Sequence, residues 1–211
     1  MAAGFFVKNN SGTVQIDELY KNLVLKEVQS FSLTGGLFDV VATGEMPIPV
    51  FYSPYHYVAL ISVSVSGNTW TYRAAVNSAS GTLKAYIFDV ASVVTPSDNF
   101  GLRVWDASAS LIYDTSQLPL RIVGNQNYPH TATGQFIYPG VNRVGVCISL
   151  LAARLVPVME NRSNIMGYGL NTINGMVQHG IPVGVGAINR AEVGARYGQF
   201  LAVDLSNYPE S

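Results

Sequence analysis

The chain has 211 residues, 48% of them hydrophobic and only 12% charged, and its 12 Lys and Arg against 13 Asp and Glu leave a formal charge of −1. A chain this close to neutral has no field to gather phosphates or an anionic lipid surface, which argues against nucleic acid as a partner. Membrane insertion is not expected either, because Gly, Ser, Asn or Pro interrupts every apolar run well short of the roughly 18 residues a spanning helix needs.

In chain order, Met1–Lys8 lacks the basic start and continuous apolar stretch of a signal peptide, so synthesis in a cytosol is expected. Leu23-Val24-Leu25 is β-like. Leu60–Ser66 alternates, with Ile61, Val63 and Val65 on one face and Ser62, Ser64 and Ser66 on the other, the pattern of a half-buried strand. Gly67-Asn68 then punctuates the chain and Thr69–Arg73 resumes alternation, as a hairpin partner would. Lys84–Val90, Val144–Leu150 and Phe200–Leu205 also predict strands. Only Leu150–Leu155 has helical propensity, and it is short and close to Pro157.

An internal repeat organises these elements. Gly4–Asp17 aligns without gaps on Gly101–Asp114, with identities at Gly4/Gly101, Val7/Val104, Ser11/Ser108 and Asp17/Asp114. Each copy reads strand, polar turn, strand, and each runs on into a further β-like stretch, Leu23–Leu25 and Leu120–Val123. Ala85–Val90 resembles Gln199–Leu205 around Asp89 and Asp204. The fold expected is all-β, an antiparallel β-sandwich of two related modules from an internal duplication, residues 1–96 and 97–211, with a boundary near Pro96–Asn99. The second module carries an inserted loop or arm near 159–180, rich in Asn and Gly and bearing Met159, Met166 and Met176, which are adaptable contacts for an assembly surface.

Residues in patterns that carry chemistry are few. His56, His130 and His179 are far apart and show no zinc-ligand spacing, no nucleophile elbow occurs, and Cys147 lies in an apolar run where its thiolate is disfavoured. Gly180–Gly186 lacks the Lys-Ser/Thr of a phosphate loop and reads as a strand or bend. Asp17, Asp89, Asp114 and Asp204 suit hydrogen bonding at turns or ladder ends. No enzyme activity, metal or other cofactor is expected. The densest chemical feature is the aromatic stretch containing Tyr52, Tyr55, His56 and Tyr57, whose flat faces and polar tips suit core or subunit packing, a protein partner, or stacking on a surface glycan.

The phrase Gly101-Leu102-Arg103-Val104-Trp105-Asp106-Ala107-Ser108, continuing to Leu111-Ile112-Tyr113-Asp114, and more weakly its copy at Gly4–Asp17, resembles small β-rich proteins of tailed-bacteriophage tail modules; Gly12 keeps the usual turn glycine that Ala109 replaces. The resemblance covers about a quarter of the chain and is a hairpin with no catalytic residues to carry over. It implies a virion protein of the tail tip, baseplate or fibre, made in the host cytoplasm, that contacts other tail proteins, self-associates and assists adsorption. A carbohydrate-binding β-sandwich module using the aromatic stretch is the alternative.

Overall fold

The computed structural model describes residues 6–8, 14–17, 22–33, 36–77, 81–95, 101–129, 132–150, 153–159, 162–189 and 197–210, with the backbone alone described for 6–8, 14–17, 150–168 and 181–197 within those spans. The expected boundary at Pro96–Asn99, the turn at Asn9–Thr13 and His130 lie outside the described residues.

Seventeen strands and one 3-10 turn (Ala91–Val93) make up the described regular structure. The first half of the chain holds β1 (Phe6–Lys8), β2 (Val14–Asp17), β3 (Leu23–Leu33), β4 (Leu37–Thr43), β5 (Ile48–Tyr52), β6 (Val58–Ser66), β7 (Thr69–Val76) and β8 (Gly81–Val90). The second half holds β9 (Arg103–Trp105), β10 (Leu111–Asp114), β11 (Ile122–Pro129), β12 (Gly134–Ile137), β13 (Val144–Leu150), β14 (Ala153–Met159), β15 (Arg162–Ile173), β16 (Met176–Asn189) and β17 (Tyr197–Asp204). Leu150–Leu155, the segment with helical propensity, ends β13 and begins β14, with Leu151 and Ala152 outside the described residues.

Two antiparallel sheets pack face to face as a β-sandwich. Sheet 1 runs β11-β17-β13-β5-β8-β3; sheet 2 runs β12-β16-β15-β6-β7-β4, with β14 added on β15. Phe51, Ile87, Val146 and Phe200 from sheet 1 meet Val40, Tyr72, Leu170 and Val177 from sheet 2 in one buried cluster that draws on both halves of the chain. The outer face of sheet 1 is covered in part by the C-terminal segment: Tyr208 packs edge-on against Phe88 at 5.4 Å, and the buried Arg143 donates from Nε to Leu205 O at 2.9 Å and from Nη2 to Tyr208 O.

The pairing of the second half repeats that of the first. In the β1–β2 hairpin Phe6 faces Asp17, Val7 faces Ile16 and Lys8 faces Val14; in β9–β10 Arg103 faces Asp114, Val104 faces Tyr113 and Trp105 faces Leu111, each with one extra residue at the same place, Gln15 or Ile112. Beyond the hairpins, β3–β8 pairs Leu25 with Phe88 and Glu27 with Ile87, and β11–β17 pairs Ile122 with Val203 and Gly124 with Ala202, both bulged at the intervening residue. Likewise Ile48 with Phe88 on β5–β8 matches Gly145 with Val203 on β13–β17. Read from either edge, each sheet presents the same succession of counterpart strands, and the halves join edge to edge in the middle, at Phe51 with Val146 and at Val58 with Leu170.

The strands read from sequence recur as β3, β6, β7, β8, β13 and β17. The half-buried pattern expected of Leu60–Ser66 does not extend to the end of the strand. The apolar face of Leu60–Ser66 is only partly covered: Val63 and Val65 are 46% and 53% exposed. A bulge at Ile61 shifts the register against β7, and β6 loses its β15 neighbour beyond Val58 because β14 takes that side of β15.

Candidate functional site

The aromatic stretch links the end of β5 to the start of β6, crossing from one sheet to the other where the two halves of the chain meet. Its backbone is pinned to the second half. Ser53 N donates to Thr172 Oγ1 at 2.9 Å, Thr172 N donates to Ser53 O at 3.1 Å, and Tyr57 OH donates to Gln178 Oε1 at 3.3 Å. Ser53 Oγ closes the turn by donating to His56 O at 2.7 Å, and Tyr57 N donates to Asn77 Oδ1 at 2.8 Å.

These bonds place the four side chains in different surroundings. Tyr52 is half-buried with the Arg143 guanidinium 5.9 Å from its ring centre, and burial raises its phenol pKa above the usual value. His56 is buried, its Nε2 without a hydrogen-bond partner among the described residues, and lies so close to Gly81 that a Cβ there would sit 2.3 Å from Nε2. Tyr57 is half-buried. Tyr55 alone of the four is open to solvent, at 78% exposure. The stretch is therefore a seam between the two halves with one projecting ring, and it does not form a continuous stacking platform.

The segment near 159–180 divides into two parts. Leu170–Ile173 and Met176–Gly180 are integral to sheet 2, with Leu170, Thr172 and Val177 buried, whereas Arg162–Gly167 pairs only with β14 and the far part of β16 among the described residues. The outer part is thus a three-stranded ribbon, β14-β15-β16. Met159 and Met166 belong to the backbone of this ribbon, and their side chains lie outside the described residues; Met176, half-buried, faces Ile137 and Ile173 at the opposite end of the hairpin. Met166 pairs with Gly184, eight residues along β16 from Met176 and hence roughly 26 Å away at the ordinary strand rise, so the three methionines do not make one patch.

Sequence reasoning missed the turn that builds this hairpin. Asn174-Gly175 has φ of +43° and +73°, the two-residue turn in which both central residues are left-handed, and an Asn-Gly pair is its strongest local signal. It also missed a cleft of about 380 Å³ lined by Lys26, Thr43, Gly44, Glu45, Asn68 and Val93. Beneath it lies the fully buried Asp89, whose Oδ1 accepts from Met46 N at 2.9 Å and Val90 N at 2.8 Å while Lys26 Nζ stands 3.8 Å from Oδ2. Gly44 is needed there, since a Cβ would fall 1.7 Å from Asp89 Oδ2.

Asp114 and Asp204 do the ladder-end work their positions predict, and the side chain of Asp17 lies outside the described residues. Burial acts to raise the carboxyl pKa of Asp204, but hydrogen bonds from Ser206 and the charges of Arg121 and Arg143 outweigh it and hold the group below its ordinary value. Asp114 behaves the same way through Ser116 and Arg103, the latter 2.5 Å away. Burial pushes the Cys147 thiol up to about 11, so it is a poor nucleophile near neutrality. Among the described residues no three His, Cys, Asp or Glu side chains gather as metal ligands would.

The class of protein defined by these features is an all-β antiparallel sandwich with an added ribbon. No family model, curated protein or solved structure matches the chain.

Proposed function

We propose that this chain is a structural virion protein of a bacteriophage tail, at the tip, baseplate or fibre, which assembles by protein–protein contacts and assists host adsorption. The phage assignment rests on the hairpin phrase at Gly101–Asp114, and an internal duplication is proposed as the origin of the repeated pairing. The single observation that favours assembly is the β14-β15-β16 ribbon, a stretch of sheet additional to the six-strand row that closes the core. An element that builds surface without completing the sandwich suits contact with neighbouring subunits.

Electron microscopy of intact particles labelled with antibody against the purified chain tests this reading. Label at the tail end, with adsorption reduced by the antibody, is expected; particles without label would overturn it. A glycan-binding reading is favoured by Tyr55 alone, whose exposed ring is free to stack on a sugar. Binding on a glycan array that is lost in Tyr55→Ala would support that second reading, and the absence of binding would remove it.

A further inference from the structure

We propose that the free edge of β6, Ser62–Ser66, is a docking edge for a second copy of this chain, paired antiparallel about a two-fold axis through Ser64. All five residues are exposed, and past the Ile61 bulge β6 pairs with β7 alone among the described residues. In a hairpin closed by the two-residue turn Gly67-Asn68, Ser66 and every second residue before it exchange hydrogen bonds with β7, which turns the N–H and C=O of Val63 and Val65 toward the open side.

The edges of β4 and β3 are guarded. On β4, Val41 O accepts from Gln29 Nε2 at 2.9 Å and Thr43 O accepts from Lys26 Nζ. On β3, Leu25 N donates to Leu118 O at 2.7 Å and Leu120 N donates to Leu23 O at 2.8 Å. Ser62-Val63-Ser64-Val65-Ser66 has none of the lysines, prolines or inward charges that keep an edge from pairing.

The sequence of this edge matches itself. With Ser64 on the axis, Val63 of one copy lies opposite Val65 of the other on one face, and Ser62 lies opposite Ser66 on the other face, so the polar and apolar alternation continues across the junction. The apolar side gains Trp70, half-buried and stacked on Tyr72 at 6.3 Å, from each copy. The molecule already uses this solution internally, since its two halves join by antiparallel pairing of β5 with β13 and of β6 with β15. This inference is independent of the phage assignment, as it concerns self-association whatever the particle.

Sedimentation velocity on the purified full-length chain across the micromolar range decides it. The unaltered protein should dimerise. Val63→Lys combined with Val65→Lys places like charges opposite each other at both valine pairs and should weaken the dimer at least about tenfold, with the circular dichroism spectrum unchanged because both positions are exposed. Val63→Lys combined with Val65→Glu sets opposite charges across the same pairs and should keep the dimer. Ser64→Cys should give a disulfide-linked dimer that survives denaturation and that reductant splits to monomer on a denaturing gel, because the two thiols meet on the axis. A monomer throughout, a dimer indifferent to the two lysines, or equal weakening by the lysine–lysine and lysine–glutamate pairs would overturn the proposal.

Discussion

His179 shows how one buried ring carries a pH dependence. It packs between Tyr128 at 5.6 Å and Phe136 at 5.5 Å, with Nδ1 lacking a hydrogen-bond partner among the described residues and Gly134 leaving room for the ring where a Cβ would stand 2.5 Å from Nε2. Burial lowers its pKa below the ordinary value, only partly opposed by a hydrogen bond the ring donates to the Ala132 backbone carbonyl. The folded protein therefore resists a proton that the unfolded chain accepts near pH 6.5, so the stability this ring supports is present above that pH and is lost as pH falls through the folded value. Melting temperature should drop between pH 7 and pH 5 more steeply in the unaltered chain than in His179→Gln. The two proteins differ at this one position, so thermal melts across that range isolate the contribution of His179, and equal slopes would contradict it.

At the scale of elements, the β6–β7 and β15–β16 hairpins of sheet 2 close by turns of related chemistry and unequal tolerance. Gly67 has φ of +58° and open space for 4 Å around the point a Cβ would occupy, whereas Gly175 has φ of +73° and a Cβ there would lie 2.0 Å from Val141 O. Gly67→Ala should cost about 1–2 kcal/mol, the penalty of a left-handed conformation alone. Gly175→Ala adds an overpacking cost and should lose about 2–5 kcal/mol. Urea denaturation midpoints measure both, and equal losses would show that the Val141 carbonyl yields freely. The Gly67-Asn68 turn was legible in the sequence because alternating residues flank it on both sides. Asn174-Gly175 carried an equally strong signal, but the Asn and Gly around it in 159–180 gave the segment the composition of a loop.

For the whole molecule, the shared core predicts how it unfolds. Phe51, Ile87 and Tyr72 from the first half are buried in the same cluster as Val146, Leu170 and Phe200 from the second, and both sheets run unbroken across the middle. Neither half can lose its strands without exposing apolar surface of the other, so unfolding should be one cooperative transition. Far-ultraviolet circular dichroism and tryptophan fluorescence, followed on heating, should give coincident curves. Two separated transitions would mean that the halves are independent in stability.

Features that depend on near neighbours are written in the chain itself. Period-two alternation at Leu60–Ser66, the β-rich stretches at Lys84–Val90 and Val144–Leu150, and the hairpin phrase at Gly101–Asp114 specify strands and tight turns because those preferences act over a few residues. Which strands adjoin is set by the assembled fold. The central pairs, Phe51 with Val146 and Val58 with Leu170, join residues far apart in the chain, and no local pattern encodes such a contact. Exposure follows from those pairings: the aromatic stretch is mostly sealed because it lies on the seam, leaving only Tyr55 outside, while Val63 and Val65 are uncovered because β14 displaces β6 from β15. An apolar residue is buried only where a neighbouring element arrives to cover it, and that depends on the assembled sheets rather than on the strand that carries it.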